Sequence, residues 1–481
     1  SSGDVTGAGA LVAQGAFVKS GAGGARTVAP VFTNGGGVVV QAGTLTLGSC
    51  TSYVSATNTL ASGYFEVWDS GQLSITSATI RTLGAAARVK LVGSGSSMPP
   101  LNGLTTNRGV LELWEGRGLS LSPQGGVFTN LGTILKDGAG TGVVAGSFVL
   151  SNQGVVEVRG GTLNFAGAAS SIAQLSGSTL TGGTWRVRDV AGLGTVLSFP
   201  VGVSLLTIGA GARVDLWGTA PVFAAMMNVA NVAGTLSYAD AAPVQVQPAG
   251  GQLQVSGVLL KTGVGACVIP STLLVVNSGI VRVDGGDLTI QSDVVGGRIE
   301  TVGVGRLVVE QDQTLHANLT NGGVVVLGNQ TLTVAGTYVQ TGTLVTDVVT
   351  EVWMGTLAIT GTANLDGELV IGSQTGFDPS YGNPLIGLEF VRAQEVTGAF
   401  AGISVPSTRV GAYSLRYLPT VVQLIFNFAD YNGDGGVDSG DVEEYFLYWE
   451  GGDLFADVNG DGGVDATDIF LFFQWWERGG G

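Results

Sequence analysis

The chain repeats a short motif at intervals of about 22 residues, a period that is typical of solenoids, in which each repeat forms one coil. The motif is an Asn, a spacer residue, a Gly and then a strand of alternating apolar residues. The copies are "TNRGVLEL" at Asn107, "TNLGTILK" at Asn130, "SNQGVVEV" at Asn152, "NSGIVRV" at Asn277 and "TNGGVVVL" at Asn321. The intervals between these Asn positions are 23, 22, 125 and 44, so three of the four equal one or two periods.

A second short strand follows many of the copies, as in "GGTLNF", "GGDLTI" and "NQTLTV". Alternation of period two between turn residues predicts two or three short strands per coil around a narrow interior. We expect the corner glycines to adopt positive φ values, and the Asn residues to tolerate the left-handed conformation and to stack on their equivalents one coil away. The predicted fold class is therefore mainly β, a β-solenoid of the right-handed β-helix kind.

The repeat and the composition together predict four regions. The 81 glycines and few helix formers favour one long β architecture, and the 44% of hydrophobic residues allow it to bury a core. We expect an N-terminal segment or cap over residues 1–34, the solenoid over 35–342, a β-rich cap over 343–428 and a calcium-binding domain over 429–481. At about 4.8 Å per coil, roughly fourteen coils would form a rod about 65 Å long.

Charge and hydropathy exclude several classes of protein. The 20 Lys and Arg residues form no cluster, which argues against nucleic-acid binding. No apolar run reaches the roughly 18 to 20 residues of a membrane span. The chain opens on Ser1 without a Met, which fits an exported protein whose signal peptide has been removed, so an extracellular or cell-surface location is predicted. Cys50 and Cys267 would lie about ten coils apart, too far for an intrachain disulfide.

Residues Tyr338 to Phe426 resemble the segment that closes many exported bacterial β-helix proteins, including autotransporter-like passengers. The resemblance rests on a "QTG-TL" strand, "TGTANLDGELVI", "GF-P--G" and "TGAFAG". It implies a β-rich cap that continues the stack of coils, and it implies nothing about catalysis.

The end of the chain concentrates acidic residues in two similar loops. From Ala429 onward there are thirteen Asp and Glu against one Arg, in a chain of net charge −16. "DYNGDGGVDSGD" begins at Asp430, and the second copy, "DVNGDGGVDATD", begins at Asp457. Alternating oxygen ligands around a glycine turn, with a closing carboxylate, are what Ca²⁺ requires, so two calcium ions are predicted. The predicted ligands are Asp430, Asn432, Asp434, Asp438 and Asp441 in the first loop and Asp457, Asn459, Asp461, Asp465 and Asp468 in the second, with the backbone carbonyls of Gly436 and Gly463.

A duplicated calcium loop that closes with Asp, each copy followed by one short helix, resembles a type I dockerin. The match covers Asp430 to Glu477 and implies calcium-coupled folding and attachment to a cohesin-like surface partner. The residues just after the ninth ligand, which help dockerins to recognise their cohesin, are Ser439 and Gly440 in one copy and Ala466 and Thr467 in the other. Because the copies share no Ser-Thr pair there, a cellulosomal cohesin is disfavoured as the partner.

Each loop precedes an apolar stripe with helical spacing. The stripes are Val442, Tyr445, Phe446 and Trp449 and, at the equivalent positions after the second loop, Ile469, Phe472, Phe473 and Trp476. We expect the two stripes to face each other as the core of the terminal domain. The second helix is apolar on its other side as well, at Phe470, Leu471 and Trp475, so something must cover it. The cover is either the chain's own β cap or another protein or subunit.

The sequence contains no recognisable catalytic motif. Its one histidine, His316, has no obvious partner, and no nucleophile elbow, zinc motif or phosphate loop is present. Four strands pair an acid with a Trp on one face, at Glu66 and Trp68, Glu112 and Trp114, Asp215 and Trp217, and Glu351 and Trp353. These tryptophans predict a contact surface for a neighbour or, alternatively, a carbohydrate platform. An enzyme should concentrate its charges on one face of a few coils, whereas here the charges look spread.

These observations favour an extracellular structural protein and not an enzyme. We expect a rigid solenoid rod that assembles with other copies of itself, or attaches to a surface partner, through its calcium-binding end, as a filament or surface-layer subunit. The alternatives are a dockerin-anchored β-helix that binds or cleaves carbohydrate and a cell-surface adhesin.

Overall fold

The computed structural model describes residues 4–190, 194–350, 353–373, 387–405, 412–434, 436–459 and 461–477. The chain divides into two compact units, Ser1–Leu260 and Lys261–Gly481. Strands make up 56% of the residues that the structure describes, and about 16 solenoid turns are present over the two units together. The predicted mainly-β solenoid is therefore confirmed, whereas its handedness stays a prediction.

The strands that begin in the first unit range from 2 to 17 residues in length. They are β1 (Ala10–Ala13), β2 (Ala16–Lys19), β3 (Ala25–Asn34), β4 (Gly37–Cys50), β5 (Tyr53–Val54), β6 (Thr59–Ile75), β7 (Thr82–Val92), β8 (Thr106–Asn107), β9 (Val110–Trp114), β10 (Leu119–Ser120), β11 (Val127–Asn130), β12 (Thr133–Asp137), β13 (Thr141–Ala145), β14 (Val149–Asn152), β15 (Val155–Val158), β16 (Thr162–Phe165), β17 (Leu175–Ser176), β18 (Thr179–Asp189), β19 (Val196–Ser198), β20 (Thr207–Gly218), β21 (Val222–Phe223), β22 (Asn231–Val232), β23 (Thr235–Ala239), β24 (Gln252–Val255) and β25 (Val258–Thr262).

The second unit continues with strands and ends in two helices. They are β26 (Ala266–Ile269), β27 (Leu274–Asn277), β28 (Ile280–Val283), β29 (Asp287–Ile290), β30 (Val294–Val308), β31 (Gln313–Gly328), β32 (Thr331–Val334), β33 (Tyr338–Gln340), β34 (Thr343–Thr350), β35 (Trp353–Met354), β36 (Thr356–Ile359), β37 (Thr362–Leu365), β38 (Glu368–Ser373), β39 (Leu388–Arg392), β40 (Glu395–Gly398), β41 (Gly402–Ser404), β42 (Ala412–Leu418), β43 (Val421–Asn427), α1 (Ser439–Glu450) and α2 (Ala466–Glu477).

One coil of the first unit consists of three strands, β14, β15 and β16, as the sequence predicts. β14 pairs in parallel with β11, β15 with β12 and β16 with β13, so each strand lies on its equivalent one coil earlier. Val127 is paired with Val149, and Thr133 is paired with Val155, so both registers are offset by one full repeat. Residues one period apart are paired on neighbouring coils, so one sequence repeat corresponds to one full coil.

Parallel coil pairing extends into residues that the sequence assigns to an N-terminal segment or cap. β1 pairs in parallel with β3, and β2 with β4. Both strands alternate exposed and half-buried residues, and Phe17 of β2 packs against the buried Phe32, but neither strand contains a fully buried residue. Parallel pairing therefore begins before the solenoid boundary that the sequence predicts at residue 35.

In the second unit the coils continue into the predicted cap and then give way to a hairpin. Parallel pairs join β36 to β39, β37 to β40 and β38 to β41. β43 then pairs antiparallel with both β39 and β42. Antiparallel strands cannot continue a parallel stack, so this hairpin ends the run of coils before the helices begin.

A ladder of buried asparagines links three coils of the first unit. The Asn107 amide donates to the Asn130 side-chain oxygen at 2.7 Å, and the Asn130 amide donates to that of Asn152 at 2.8 Å. All three side chains are fully buried, so these bonds satisfy polar groups that water cannot reach. The predicted stacking is confirmed for these three residues, whereas Asn277 donates to the Arg298 carbonyl and Asn321 bonds Thr301 and Gln340. None of the three stacked residues has the left-handed conformation.

The motif glycines are explained by crowding and not by positive φ. A Cβ built on Gly132 would lie 2.1 Å from the Gly109 carbonyl oxygen, and one on Gly154 would lie 2.2 Å from that of Gly132. Neither residue has a positive φ. The predicted positive φ is found at other corners, such as Gly183, whose φ is 77°. At the Asn-x-Gly turn a side chain is thus excluded because the backbone of the preceding coil comes too close.

Apolar side chains fill the interior of the coils. In the first unit Phe165, Trp185, Phe199 and Phe223 form a column of edge-to-face rings with centroids 4.9 to 6.0 Å apart. Cys50 lies in the first unit and Cys267 in the second, and both are buried free thiols. The prediction that they do not form a disulfide is confirmed.

Candidate functional site: a doubled acidic loop and a charged ladder

The two acidic loops have the same hydrogen-bond pattern. In the first loop Asn432 Oδ1 accepts the Asp434 N–H at 3.0 Å, and Asp434 Oδ1 accepts the Gly436 N–H at 2.9 Å. The second loop repeats both bonds, from Asp461 N–H to Asn459 at 2.8 Å and from Gly463 N–H to Asp461 at 2.9 Å. The repeated sequence therefore folds twice into one local structure. Gly435, which follows Asp434 in the first loop, lies outside the described residues.

The predicted closing ligands, Asp441 and Asp468, are fully buried and hold the start of each helix. Asp441 accepts the N–H groups of Asn432 at 3.1 Å and of Asp438 at 2.8 Å. Asp438 in turn accepts the Gly440 N–H, which completes a capping box at the start of α1. Asp468 accepts the equivalent N–H groups of Asn459 and Asp465. A movement of either carboxylate would therefore move a helix start as well as a loop.

The two helices pack on each other through the predicted stripes. The rings of Tyr445 and Phe472 are stacked with centroids 4.1 Å apart and planes 5° apart. The indole N–H of Trp449 on α1 donates to the Asp465 carbonyl of the second loop at 3.1 Å. Its equivalent, Trp476 on α2, donates to the Asp438 carbonyl of the first loop at 3.0 Å. The C-terminal part of each helix is therefore hydrogen-bonded to the loop that precedes the other helix, so each repeat stabilises the other.

The donor set of each loop fits a hard cation in chemistry and in order along the chain. Each loop offers four carboxylates, one amide oxygen and the carbonyl of Gly436 or Gly463, which are the ligand types of Ca²⁺. Within the described ranges no group of three or more His, Cys, Asp or Glu side chains converges as a metal site. At least seven of the eight Asp side chains accept hydrogen bonds from backbone N–H groups of the module.

The outward residues of α2 differ in their surroundings. The Trp475 ring packs against Phe428 with centroids 4.8 Å apart, and it is the equivalent of Tyr448, which packs against Phe455 in the other repeat. Leu471 is half-buried, whereas Phe470 is 65% exposed. The chain itself therefore covers Trp475, and of the three predicted partner residues Phe470 presents the most open side chain.

A second cluster of polar groups, which sequence reasoning missed, lies on one outward strand face of the first unit. Seven ion pairs occur there, between residues 66 and 215. The central column of this face, here called the charged ladder, runs coil by coil through Glu66, Lys90, Glu112, Leu135, Glu157, Arg186 and Asp215. The expectations that the charges are spread and that Lys and Arg form no cluster are wrong for this unit, because unequal lengths of sequence separate the aligned strands. The sequence feature that could have revealed the ladder is a charged residue between two apolar residues of a strand, as in "GVLELW", "GVVEVR" and "ARVDLW".

The carboxylates of the ladder lie beneath their cationic partners. Glu157 is 3% exposed and accepts from Arg159 at 2.6 Å, from Arg186 at 3.2 Å and from Arg188 at 3.5 Å. Asp215, 8% exposed, accepts from Arg186 at 3.2 Å and from Arg213 at 2.8 Å. Burial alone would raise the pKa of Glu157, but the hydrogen bond from Arg159 and the nearby arginine charges together leave that pKa below its ordinary value. Glu157 is therefore an anion, unsuited to donate a proton.

The four tryptophans of the predicted acid–tryptophan pairs differ in accessibility. Lys90 stands 4.0 Å over the Trp114 ring and Arg188 stands 3.8 Å over the Trp217 ring. Those two faces are occupied by cations from the chain. Trp68 and Trp353 are 42% and 51% exposed and are the more open of the four. Glu351, the acid predicted to accompany Trp353, lies outside the described residues.

His316 lies exposed on β31, which agrees with a surface role. In the part of the chain that the structure describes, no helix is long and apolar enough to cross a membrane.

No protein-family model matches the chain, and no curated protein matches it at a significant level.

Proposed function

We propose that this protein is an extracellular structural protein in which a β-solenoid body assembles with other copies of itself, as a filament or surface-layer subunit, through a calcium-binding, dockerin-like end. The observation that carries the proposal is the doubled loop with its closing Asp441 and Asp468, each hydrogen-bonded to a helix start in the same way. We assign this module to attachment, because its two helices add no strand to the coils.

Calcium would be held by the oxygen donors of both loops and would supply the positive charge that lets eight carboxylates lie together. The loops would contribute Asp430, Asn432, Asp434, Gly436, Asp438 and Asp441, and Asp457, Asn459, Asp461, Gly463, Asp465 and Asp468. Extracellular modules bind Ca²⁺ with dissociation constants of about 10⁻⁴ to 10⁻³ M, and affinities in this range suit an exported chain. Folding of this module would then depend on the ion, because binding energy becomes folding energy when the site is not preformed.

Isothermal titration of the full chain with Ca²⁺ tests this part of the proposal. We expect two ions per chain, and one after Asp468→Ala, which removes a closing carboxylate. Glu444→Gln is the matched control, since it removes a carboxylate of the same module outside both loops, and it should leave both sites intact. A wild-type chain that takes up no Ca²⁺ would overturn the calcium assignment.

A second candidate function, carbohydrate binding, is favoured by the concentration of charge on the ladder face and by the open rings of Trp68 and Trp353. Affinity electrophoresis in gels that contain soluble polysaccharides separates the two functions. Retardation that is lost in Trp68→Ala but kept in Trp114→Ala, whose ring is already covered by Lys90, would support sugar binding. An adhesin would share every feature and differ only in its partner.

A further inference from the structure

The ladder face of the first unit presents arginine outward and carboxylate inward. The arginine cluster consists of Arg159, Arg186, Arg188 and Arg213, on strands or strand ends of three successive coils. Their side chains are 39%, 30%, 26% and 45% exposed, whereas the Glu157 and Asp215 side chains that hold them are 3% and 8% exposed. The layer that a partner would meet is therefore made of guanidinium groups.

The guanidinium groups are fixed before any partner arrives. Arg186 bridges Glu157 and Asp215, and Arg188 lies on the Trp217 ring. Two bordering carboxylates are already engaged, Asp137 with the Gly138 N–H and Asp240 with the Trp217 indole N–H. Because these contacts restrict the arginines, an incoming anion would cost them less rotamer entropy than free surface arginines would lose.

The terminal module supplies a surface of opposite charge. Between Ala429 and Glu477 there are thirteen Asp and Glu and no Lys, Arg or His. On α1, Glu443, Leu447 and Glu450 are exposed and follow the i, i+4, i+7 spacing of one helix face, with Leu447 66% exposed. Neither glutamate belongs to the proposed calcium ligands, so this face keeps its charge when the ion is bound.

We infer that the acidic face of α1 in one copy docks on the arginine cluster of a second copy. The inference rests on the proposed self-assembly and names the surfaces that carry it. The helix step from Glu443 to Glu450 spans about 10 Å, and three successive coils also span about 10 Å. Carboxylates would meet guanidinium groups while Leu447 packs on their aliphatic stems. Since the acidic surface and the arginine surface differ, the contact is heterologous, and contacts of this kind build open polymers when the rotation between copies does not close a ring.

Two full-length variants test the docking. Arg159→Ala with Arg213→Ala removes half of the cluster but leaves Arg186 and Arg188 to neutralise the buried acids. Glu443→Arg with Glu450→Arg removes the acidic face. In millimolar Ca²⁺ each variant should weaken self-association by at least about tenfold in sedimentation velocity, and the wild type should lose association at high salt. Arg108→Ala, an exposed arginine outside the cluster, is the control and should assemble normally.

Mixing the two variants shows that both remain folded. One retains the helix face and the other retains the arginine cluster, so an equimolar mixture should form dimers that cannot grow. If both variants assembled as the wild type does, the docking inference would be overturned, but the proposed function would not. Capture of an anionic polysaccharide by the cluster, with no dimer in the mixture, would overturn it too. A wild type that never self-associates would instead overturn the proposed function on which the inference depends.

Discussion

A single side-chain amide, that of Asn130, connects three coils. It accepts from Asn107 and donates to Asn152 and to the Val155 carbonyl, all within a fully buried site. Removing it leaves buried polar partners unsatisfied on both sides, so Asn130→Ala should lower the free energy of unfolding by about 1–3 kcal/mol. Urea denaturation measures the loss. Asn164→Ala on β16, half-exposed and outward, should change stability by less than about 0.5 kcal/mol. Equal effects of the two substitutions would contradict the role of the ladder.

The two thiols are the other residue-scale test. Burial raises the pKa of Cys267 to about 11, an effect that the charge of Lys261 partly offsets, and burial likewise raises the pKa of Cys50. Since the thiolate is the reactive form, neither residue should react rapidly with a thiol reagent at pH 8 in the folded protein. Both should react once the chain is unfolded. Rapid reaction of the native protein would mean that one of the interiors is open.

Among the elements, the strands of the charged ladder give a dependence on pH. The folded-state pKa of Glu157 lies below its ordinary value of 4.5, so below pH about 4.5 the unfolded chain takes up the proton first. The stability contributed by the Glu157 charge is present above that pH and is lost as the pH falls toward the folded-state pKa. Glu157→Gln should therefore reduce the steepness of acid destabilisation, measured as thermal melting temperature against pH. Glu310→Gln, an exposed carboxylate, should leave the curve unchanged.

Two aromatic residues of α2 should contribute differently to the stability of the terminal module. Trp475 packs against Phe428, whereas Phe470 is largely exposed. Trp475→Ala should destabilise the module by up to about 3 kcal/mol, because it removes a ring from the contact that joins α2 to the end of β43. Phe470→Ser should lower the free energy of unfolding by less than about 0.5 kcal/mol, because the Phe470 side chain is largely exposed. Urea denaturation of both variants, followed by Trp fluorescence, decides between these roles. The opposite order of stabilities would contradict the assignment.

For the whole molecule, the periodicity of the sequence predicted the repeated coils, but it did not predict which side chains of different coils lie next to one another. The Asn-x-Gly repeat predicted the coils and the stacked amides, and the duplicated acidic loop predicted two facing helical stripes. The charged ladder was missed because the step between aligned strands varies: Thr133 aligns with Val155, but Val155 aligns with Thr184, which is a longer step along the chain. The register between two coils depends on where extra residues are inserted between their strands, and a fixed sequence period does not show those positions. The buried Lys136, whose ammonium donates to three backbone carbonyls, was likewise invisible to a pattern of apolar residues.

The central claim is that calcium at the terminal module controls self-assembly. Electron microscopy of the purified chain in millimolar Ca²⁺, and again after chelation, tests it most directly. The account predicts filaments or sheets that fall apart into single particles when Ca²⁺ is removed and re-form when it is restored. Single particles under both conditions would contradict it.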